Sequence, residues 1–174
     1  MSLVTYDEAR PWAKAIRDQV LERQMPLWGA VHGIAEYQND PSLSQAEIEM
    51  IVNWVEGGAP KGDEAYLPHV PQFASPPTEK WRREARDIPV GDQLVLKKDA
   101  SLIGIRPQSL KTGESMEVTA YLPDGEVDHL LWLRNYRREW TRTYRFLQPV
   151  RLPKGAEIRV TTAPESRAIL MLRP

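Results

Sequence analysis

The chain has 174 residues, of which 41% are hydrophobic and 27% charged, and its net charge is −1. This balance is typical of a globular protein and argues against extensive disorder. The lack of cysteine excludes disulfides, thiolate zinc sites, iron–sulfur clusters and thiol nucleophiles within these residues. Because no apolar run approaches the roughly 20 residues that cross a bilayer, we expect no membrane-spanning segment, and no signal peptide opens the chain as given.

The first third of the chain predicts helices. Thr5 with Glu8, and Ser44 with Glu47, have the spacing of capping boxes, and apolar residues at helical intervals follow each pair. Gly57 is predicted to end the second helix in a left-handed conformation. We therefore expect a helical segment over residues 1–62.

Alternating strands are predicted in the second half, after a proline-rich linker over residues 63–85. The stretch "ESMEVTAYLPDGEVDHLLWL" (residues 114–133) predicts two strands joined by a Pro-Asp-Gly turn. A last strand, "SRAILMLRP" (residues 166–174), places Met171 in the core. Short strands at regular spacing favour an antiparallel, jelly-roll-like β-sandwich over residues 86–174, so the predicted fold class is α+β.

Charge divides the chain in a similar way. Residues 1–78 contain 5 basic and 11 acidic side chains, a net charge of −6. Residues 79–174 contain 18 basic and 13 acidic side chains, a net charge of +5. Such asymmetry indicates two modules of different character.

Several stretches resemble a known arrangement of domains. "VTYDEARPWAKAIRDQVLERQMPLW" (residues 4–28) and "NDPSLSQAEIEMIVNWVEGGAPKGD" (residues 39–63) resemble the later part of a bacterial c-type cytochrome domain. "IGIRPQSLKTGESMEVTAYLPDG" and "EWTRTYRFLQPVRLPKGAEIRV" resemble the β-sandwich of copper type II ascorbate-dependent monooxygenases, the peptidylglycine hydroxylase class. In that family the two kinds of domain occur fused in this order.

The resemblance assigns a role to Met25. In the cytochrome domain a Met-Pro-Pro-Trp methionine is the distal haem ligand, and this position corresponds to Met25, with Leu27 in place of the second proline. Trp12 and Trp28 are the candidate walls of the haem pocket. The attachment motif Cys-x-x-Cys-His is absent, and the resemblance places it upstream, so haem c is expected only in a longer, intact protein. A periplasmic or extracellular location follows from the same resemblance.

The copper half departs from its family. The family's His-x-His pair corresponds to Gln108 and Leu110 in this chain. Leucine cannot bind copper, and a glutamine amide is a poor substitute for imidazole. The resemblance therefore implies a sandwich that has lost its copper ligands, and we expect no bound metal and no catalysis from this chain.

Other interpretations of these residues remain open. Met25 is also a residue that fills gaps in a core. His32, His69 and His129 lie in different segments without the spacing of metal ligands. The stretch "LRNYRREWTRTYRF" interleaves arginine with aromatic residues as in surfaces that bind single-stranded nucleic acid, but the net charge of −1 argues against nucleic acid as a partner.

The sequence thus predicts an extracytoplasmic redox-associated module. Its helical part transfers electrons through haem c in the intact protein, and its copper-free sandwich is non-catalytic. A redox partner protein is the expected partner. Two alternatives remain: a structural or protein-binding sandwich without a cofactor, and a copper-dependent monooxygenase that uses substitute ligands.

Overall fold

The computed structural model describes residues 3–38, 40–66 and 85–173. These residues form two compact units, a helical unit (residues 3–28 and 41–66) and a sheet unit (residues 29–38, 40 and 85–173). The predicted α+β class with an antiparallel sandwich is confirmed. Most of the predicted linker over residues 63–85, and His69 with it, lies outside the described residues.

The helical unit contains α1 (Tyr6–Ala9), α2 (Ala13–Leu21) and α3 (Gln45–Glu56), with 3₁₀ turns over Arg10–Trp12 and Glu64–Tyr66. None of the helices in the described part of the chain is long and apolar enough to cross a membrane.

Both predicted capping boxes are confirmed. The Thr5 hydroxyl accepts the Glu8 N–H at 3.3 Å, and the Glu8 carboxylate accepts the Thr5 N–H at 3.1 Å. At α3 the Ser44 hydroxyl accepts the Glu47 N–H at 3.3 Å, and the Glu47 carboxylate accepts the Ser44 N–H at 2.7 Å. Each box satisfies backbone donors that the first turn of a helix leaves without partners.

The end of α3 differs from the prediction by one residue. Gly57 caps the helix with a φ of −71°, and Gly58 takes the left-handed conformation with a φ of +88°. The carbonyl of the next residue, Ala59, accepts hydrogen bonds from the Tyr6 hydroxyl at 2.9 Å and from Arg10 Nε at 3.1 Å. These two bonds tie the end of α3 to the start of the chain.

The core of the helical unit includes one small cluster. Its buried cluster is made of small side chains, and partly buried neighbours pack against it: Ala13, Val55 and Ala59, with Ile51 and Trp54. Two of the three buried members of this cluster are alanines, which remove little apolar surface from water, while Val20, Trp28 and Ile48 of the same unit are buried as well.

The sheet unit consists of two four-stranded antiparallel sheets that pack as an open sandwich. In chain order the strands are β1 (Arg86–Val90), β2 (Gln93–Val95), β3 (Ala100–Gln108), β4 (Met116–Tyr121), β5 (Val127–Leu133), β6 (Tyr144–Leu152), β7 (Glu157–Thr161) and β8 (Arg167–Arg173). One sheet has the order β1-β8-β3-β6 and the other β2-β7-β4-β5. The two sheets thus end in β6 and β5, which follow one another in the chain.

The predicted hairpin and core positions agree with the structure. Strands β4 and β5 pair around the expected turn, where Gly125 has a φ of +93°. On β4 the side chains of Met116, Val118 and Ala120 are fully buried, and so is Met171 on β8. The alternation of apolar residues in the sequence therefore predicts the buried face of β4 correctly.

A bulge interrupts β3 between Leu102 and Gly104, in its pairing with both β6 and β8. Gly104 lies so close to β6 that a Cβ atom there would stand 3.0 Å from the Tyr144 carbonyl oxygen and 3.3 Å from Thr143 Cγ2. Backbone cannot yield as a flexible side-chain end can, so only glycine fits this position without a shift of the strand.

Replacement of this glycine is therefore expected to destabilise the sandwich. We expect Gly104→Ala to lower the free energy of unfolding by about 1–3 kcal/mol, since it forces β6 away from β3. The measurement is urea denaturation followed by tryptophan fluorescence. Gly91→Ala is the matched control, because the added Cβ would meet nothing closer than Arg167 Cγ at 3.9 Å. Equal stability of the two variants would contradict the proposed close approach.

Residues 29–38, here called the edge segment, pair with the edge strands of both sheets. Ala30 forms a bridge with Leu133 of β5, and Tyr37 forms a bridge with Phe146 of β6. Three backbone hydrogen bonds of 2.8 Å hold the segment: Val31 N–H to the Trp132 carbonyl, Gln38 N–H to the Arg145 carbonyl, and Leu147 N–H to the Glu36 carbonyl. The edge segment thus satisfies N–H and C=O groups that an edge strand otherwise presents to solvent. Residues 29–38 fall within the predicted helical segment over residues 1–62, whereas in the structure they are paired with the sheets.

Candidate functional site

Met25, the candidate haem ligand, lies in the loop that follows α2. Its side chain is 43% exposed. The loop turns back on the helix, because the carbonyl of Gln19 accepts hydrogen bonds from the N–H groups of Gln24 at 2.9 Å and Met25 at 3.2 Å. The peptide bond from Met25 to Pro26 is cis. Met25 is therefore a partly exposed residue in a loop that backbone hydrogen bonds hold against α2.

The two tryptophans predicted to line the haem pocket differ in exposure. Trp12 ends the 3₁₀ turn before α2 and is 48% exposed, whereas Trp28 is only 7% exposed. The nine residues of α2 separate Trp12 from the loop of Met25, a length of about 13 Å along the helix axis. An exposed indole and an exposed thioether thus lie near opposite ends of one helix.

Exposed apolar side chains are concentrated in the helical unit. Eight of the twelve large hydrophobic residues exposed in the described part of the chain belong to it: Leu3, Val4, Trp12, Leu21, Met25, Leu27, Met50 and Tyr66. Single exposed apolar residues are ordinary, but this share is high for the smaller of the two units. The helical unit thus leaves a large share of its apolar side chains exposed.

The two positions that the resemblance predicts to correspond to copper ligands lie at the end of β3. Gln108 is the last residue of the strand and is exposed, while Leu110 is 9% exposed and belongs to the core. Ser109 between them has a φ of +60°. A buried aliphatic side chain offers no lone pair, so the residues here do not fit the family's copper site.

The described histidines are held in separate places. His32 Nδ1 lies 3.9 Å from the Asp40 carboxylate, and His129 Nδ1 lies 3.1 Å from the Glu117 carboxylate. Within residues 3–38, 40–66 and 85–173, no group of three or more histidine, aspartate and glutamate side chains could hold a metal ion.

The arginine–aromatic stretch, residues 133–146, contains both buried aromatic residues and arginines that lie over aromatic rings. Tyr144 and Phe146 are buried. The guanidinium of Arg134 lies 5.2 Å from the ring centre of Trp132, and that of Arg137 lies 5.7 Å from Trp140. These arginines are thus placed over aromatic faces of the same molecule.

Sequence reasoning missed the aromatic cluster built around Tyr37 of the edge segment. The Tyr37 ring lies 5.8 Å from Tyr144, edge to face, and 5.5 Å from Phe146, centre to centre. Its hydroxyl donates to the Leu130 carbonyl at 2.9 Å. Burial raises the pKa of both Tyr37 and Tyr144. The only signal in the sequence was a lone tyrosine in a polar loop, which is too little to predict a core position.

Comparison with protein-family models, with curated protein sequences and with solved structures finds no match to this chain.

Proposed function

We propose that this chain is part of an extracytoplasmic redox protein, in which the helical unit helps to hold haem c and Met25 is an axial ligand. The sheet unit is then a non-catalytic, copper-free derivative of a monooxygenase sandwich. The resemblance of residues 4–28 and 39–63 to a cytochrome domain is the reason for proposing haem c as the cofactor. The observation that carries the proposal is the exposed thioether of Met25 in a loop tied to α2.

The thioether suits this role chemically. A methionine sulfur is a soft axial ligand that raises the reduction potential of a haem. An axial ligand must be accessible to the haem iron. Met25 is 43% exposed and meets this condition, whereas a methionine buried in the core would not. The bound haem would supply one-electron transfer, and this chain's own residues would orient it and exclude water from its face.

The apolar surface of the helical unit gives further support. A porphyrin needs apolar side chains around it, and Trp12, Leu21 and Leu27 are exposed in the same unit as Met25.

The described residues fit the haem only in part. The helical unit, over residues 3–28 and 41–66, contains no histidine, so a second axial ligand and the covalent attachment would come from polypeptide outside these residues. For copper the fit fails at Leu110, and the proposal therefore includes no copper chemistry.

The test is expression of the longest reading frame that contains this chain, together with a cytochrome maturation system. We expect a Soret band, and we expect Met25→Ala to lower the haem reduction potential on the order of 0.1 V, because axial ligands set haem potentials over about 0.8 V. Spectroelectrochemical titration measures the potential.

Met50→Ala is the control, because Met50 lies on α3 in the same unit and is 69% exposed. Its potential should equal that of the unmodified protein. If the reading frame lacks Cys-x-x-Cys-His, or if the expressed protein has no Soret band, a protein-binding sandwich without a cofactor would describe this protein better than a cytochrome does. A Soret band with equal potentials in both variants would instead remove the role of Met25 alone.

A further inference from the structure

A pocket of about 430 Å³ opens in the sheet unit beside the end of β3. Its walls come from two loops, one after β3 and one before β6, and include Ser109, Leu110, Lys111, Thr112, Arg138 and Thr141. This volume lies within the range of about 300–1,000 Å³ that is usual for small-molecule sites. The pocket is thus large enough for a small ligand and lies within one unit.

The charged groups of the pocket wall are both cationic. Lys111 Nζ is paired with the Glu165 carboxylate at 3.0 Å, and Glu165 also raises the pKa of Lys111. Arg138 is exposed, and its guanidinium has no carboxylate partner among the described residues. The Glu114 carboxylate lies next to the same wall, where it accepts the Lys111 N–H at 2.8 Å and the Ser166 hydroxyl at 3.3 Å and also raises the pKa of Lys111. Arg138 is therefore the cationic side chain of the pocket wall that is available to a ligand.

Hydroxyl groups and apolar surface complete the wall. Thr141 Oγ1 donates to the Arg138 carbonyl at 2.8 Å and accepts from the Tyr136 hydroxyl, so the protons of both hydroxyls are used within the wall. Ser109 and Thr112 add hydroxyls that can donate to an anion. Leu110 adds an apolar face at the position where the related copper domains have a histidine.

From this arrangement we propose that the pocket binds a small organic monoanion, with its oxyanion group on Arg138 and the hydroxyls of Ser109 and Thr112 and its apolar body against Leu110. A guanidinium suits an oxyanion because its planar donors match two acceptor oxygens. Arg138 has no carboxylate partner among the described residues, so its single positive charge can pair with one negative charge on a ligand. All residues of the pocket wall belong to the sheet unit, and none of them takes part in the proposed haem role, so the inference does not rest on that role.

The test uses the whole 174-residue chain and sodium benzenesulfonate, which keeps its charge at every accessible pH. We expect saturable amide shifts at Thr112, Arg138 and Thr141 in an NMR titration. Benzenesulfonamide has nearly the same shape without the charge and should bind at least about tenfold more weakly, as the loss of a charged hydrogen bond predicts. Arg138→Gln should weaken benzenesulfonate binding by a similar factor.

Arg151→Gln is the matched control, because Arg151 is an exposed arginine on β6 outside the pocket wall, and this variant should bind as the unmodified chain does. Unchanged amide spectra of the free variants show that both are folded. Absence of saturable shifts, equal affinity for the sulfonamide, or an equal loss in both arginine variants would overturn the proposal. Binding of sodium sulfate as tight as that of benzenesulfonate would also overturn it, since the apolar body would then contribute nothing.

Discussion

Residues 85–174 expressed alone are expected to give an unfolded or aggregating protein, although they contain every strand of the sandwich. This fragment lacks the edge segment, so β5 and β6 lose the backbone partners that cover their outer edges. It also loses the Tyr37 ring from between Tyr144 and Phe146. Unpaired edge strands beside an apolar cavity are a template for association between chains.

The matched experiment adds residues 29–38 as a synthetic peptide to the purified fragment. We expect the peptide to restore the near-ultraviolet circular dichroism of the folded sandwich and to reduce light scattering. A peptide in which Tyr37 is replaced by alanine should fail at the same concentration. A fragment that is monomeric and cooperatively folded without any peptide would show that the edge segment is dispensable.

Tyr37→Ala in the whole chain is expected to cost about 3–5 kcal/mol in the free energy of unfolding. The estimate is that for removing a buried aromatic ring and leaving a cavity. Tyr37→Phe keeps the ring and loses only the hydrogen bond to the Leu130 carbonyl, so about 1–3 kcal/mol is expected. Urea denaturation of the three proteins measures both differences.

Tyr66→Ala is the control for this series, because that side chain is 86% exposed. Its stability should stay within about 0.5 kcal/mol of the unmodified chain. If Tyr37→Ala were as stable as Tyr66→Ala, the aromatic cluster would contribute nothing to the fold.

The parts of the fold that the sequence predicts are those with local causes. The capping boxes at Thr5 and Ser44 and the Pro-Asp-Gly hairpin each depend on residues within a few positions of one another. Alternation along β4 depends only on the two-residue period of a strand. These features could be predicted because the interactions that determine them are close in the sequence.

The edge segment could not be predicted in this way. Its two bridges join Ala30 to Leu133 and Tyr37 to Phe146, and isolated bridges leave no alternation to detect. The same is true of the pocket, since Leu110 and Arg138 meet only after β3 and β6 are paired. The Met-Pro-Leu-Trp stretch identified Met25 as a candidate haem ligand. Its exposure could not be predicted, because it depends on a loop that folds back on the Gln19 carbonyl.

The order of synthesis has a consequence for the edge segment. Tyr37 leaves the ribosome about 110 residues before Phe146 does, an interval of roughly 5–20 s at about 5–20 residues per second. During that time the nascent helices can form their own hydrogen bonds, whereas the edge segment between them has no sheet strand with which to pair. Translation pauses before codon 133, or chaperones that hold extended peptides, should therefore affect the yield of mature sandwich far more than the yield of the helices.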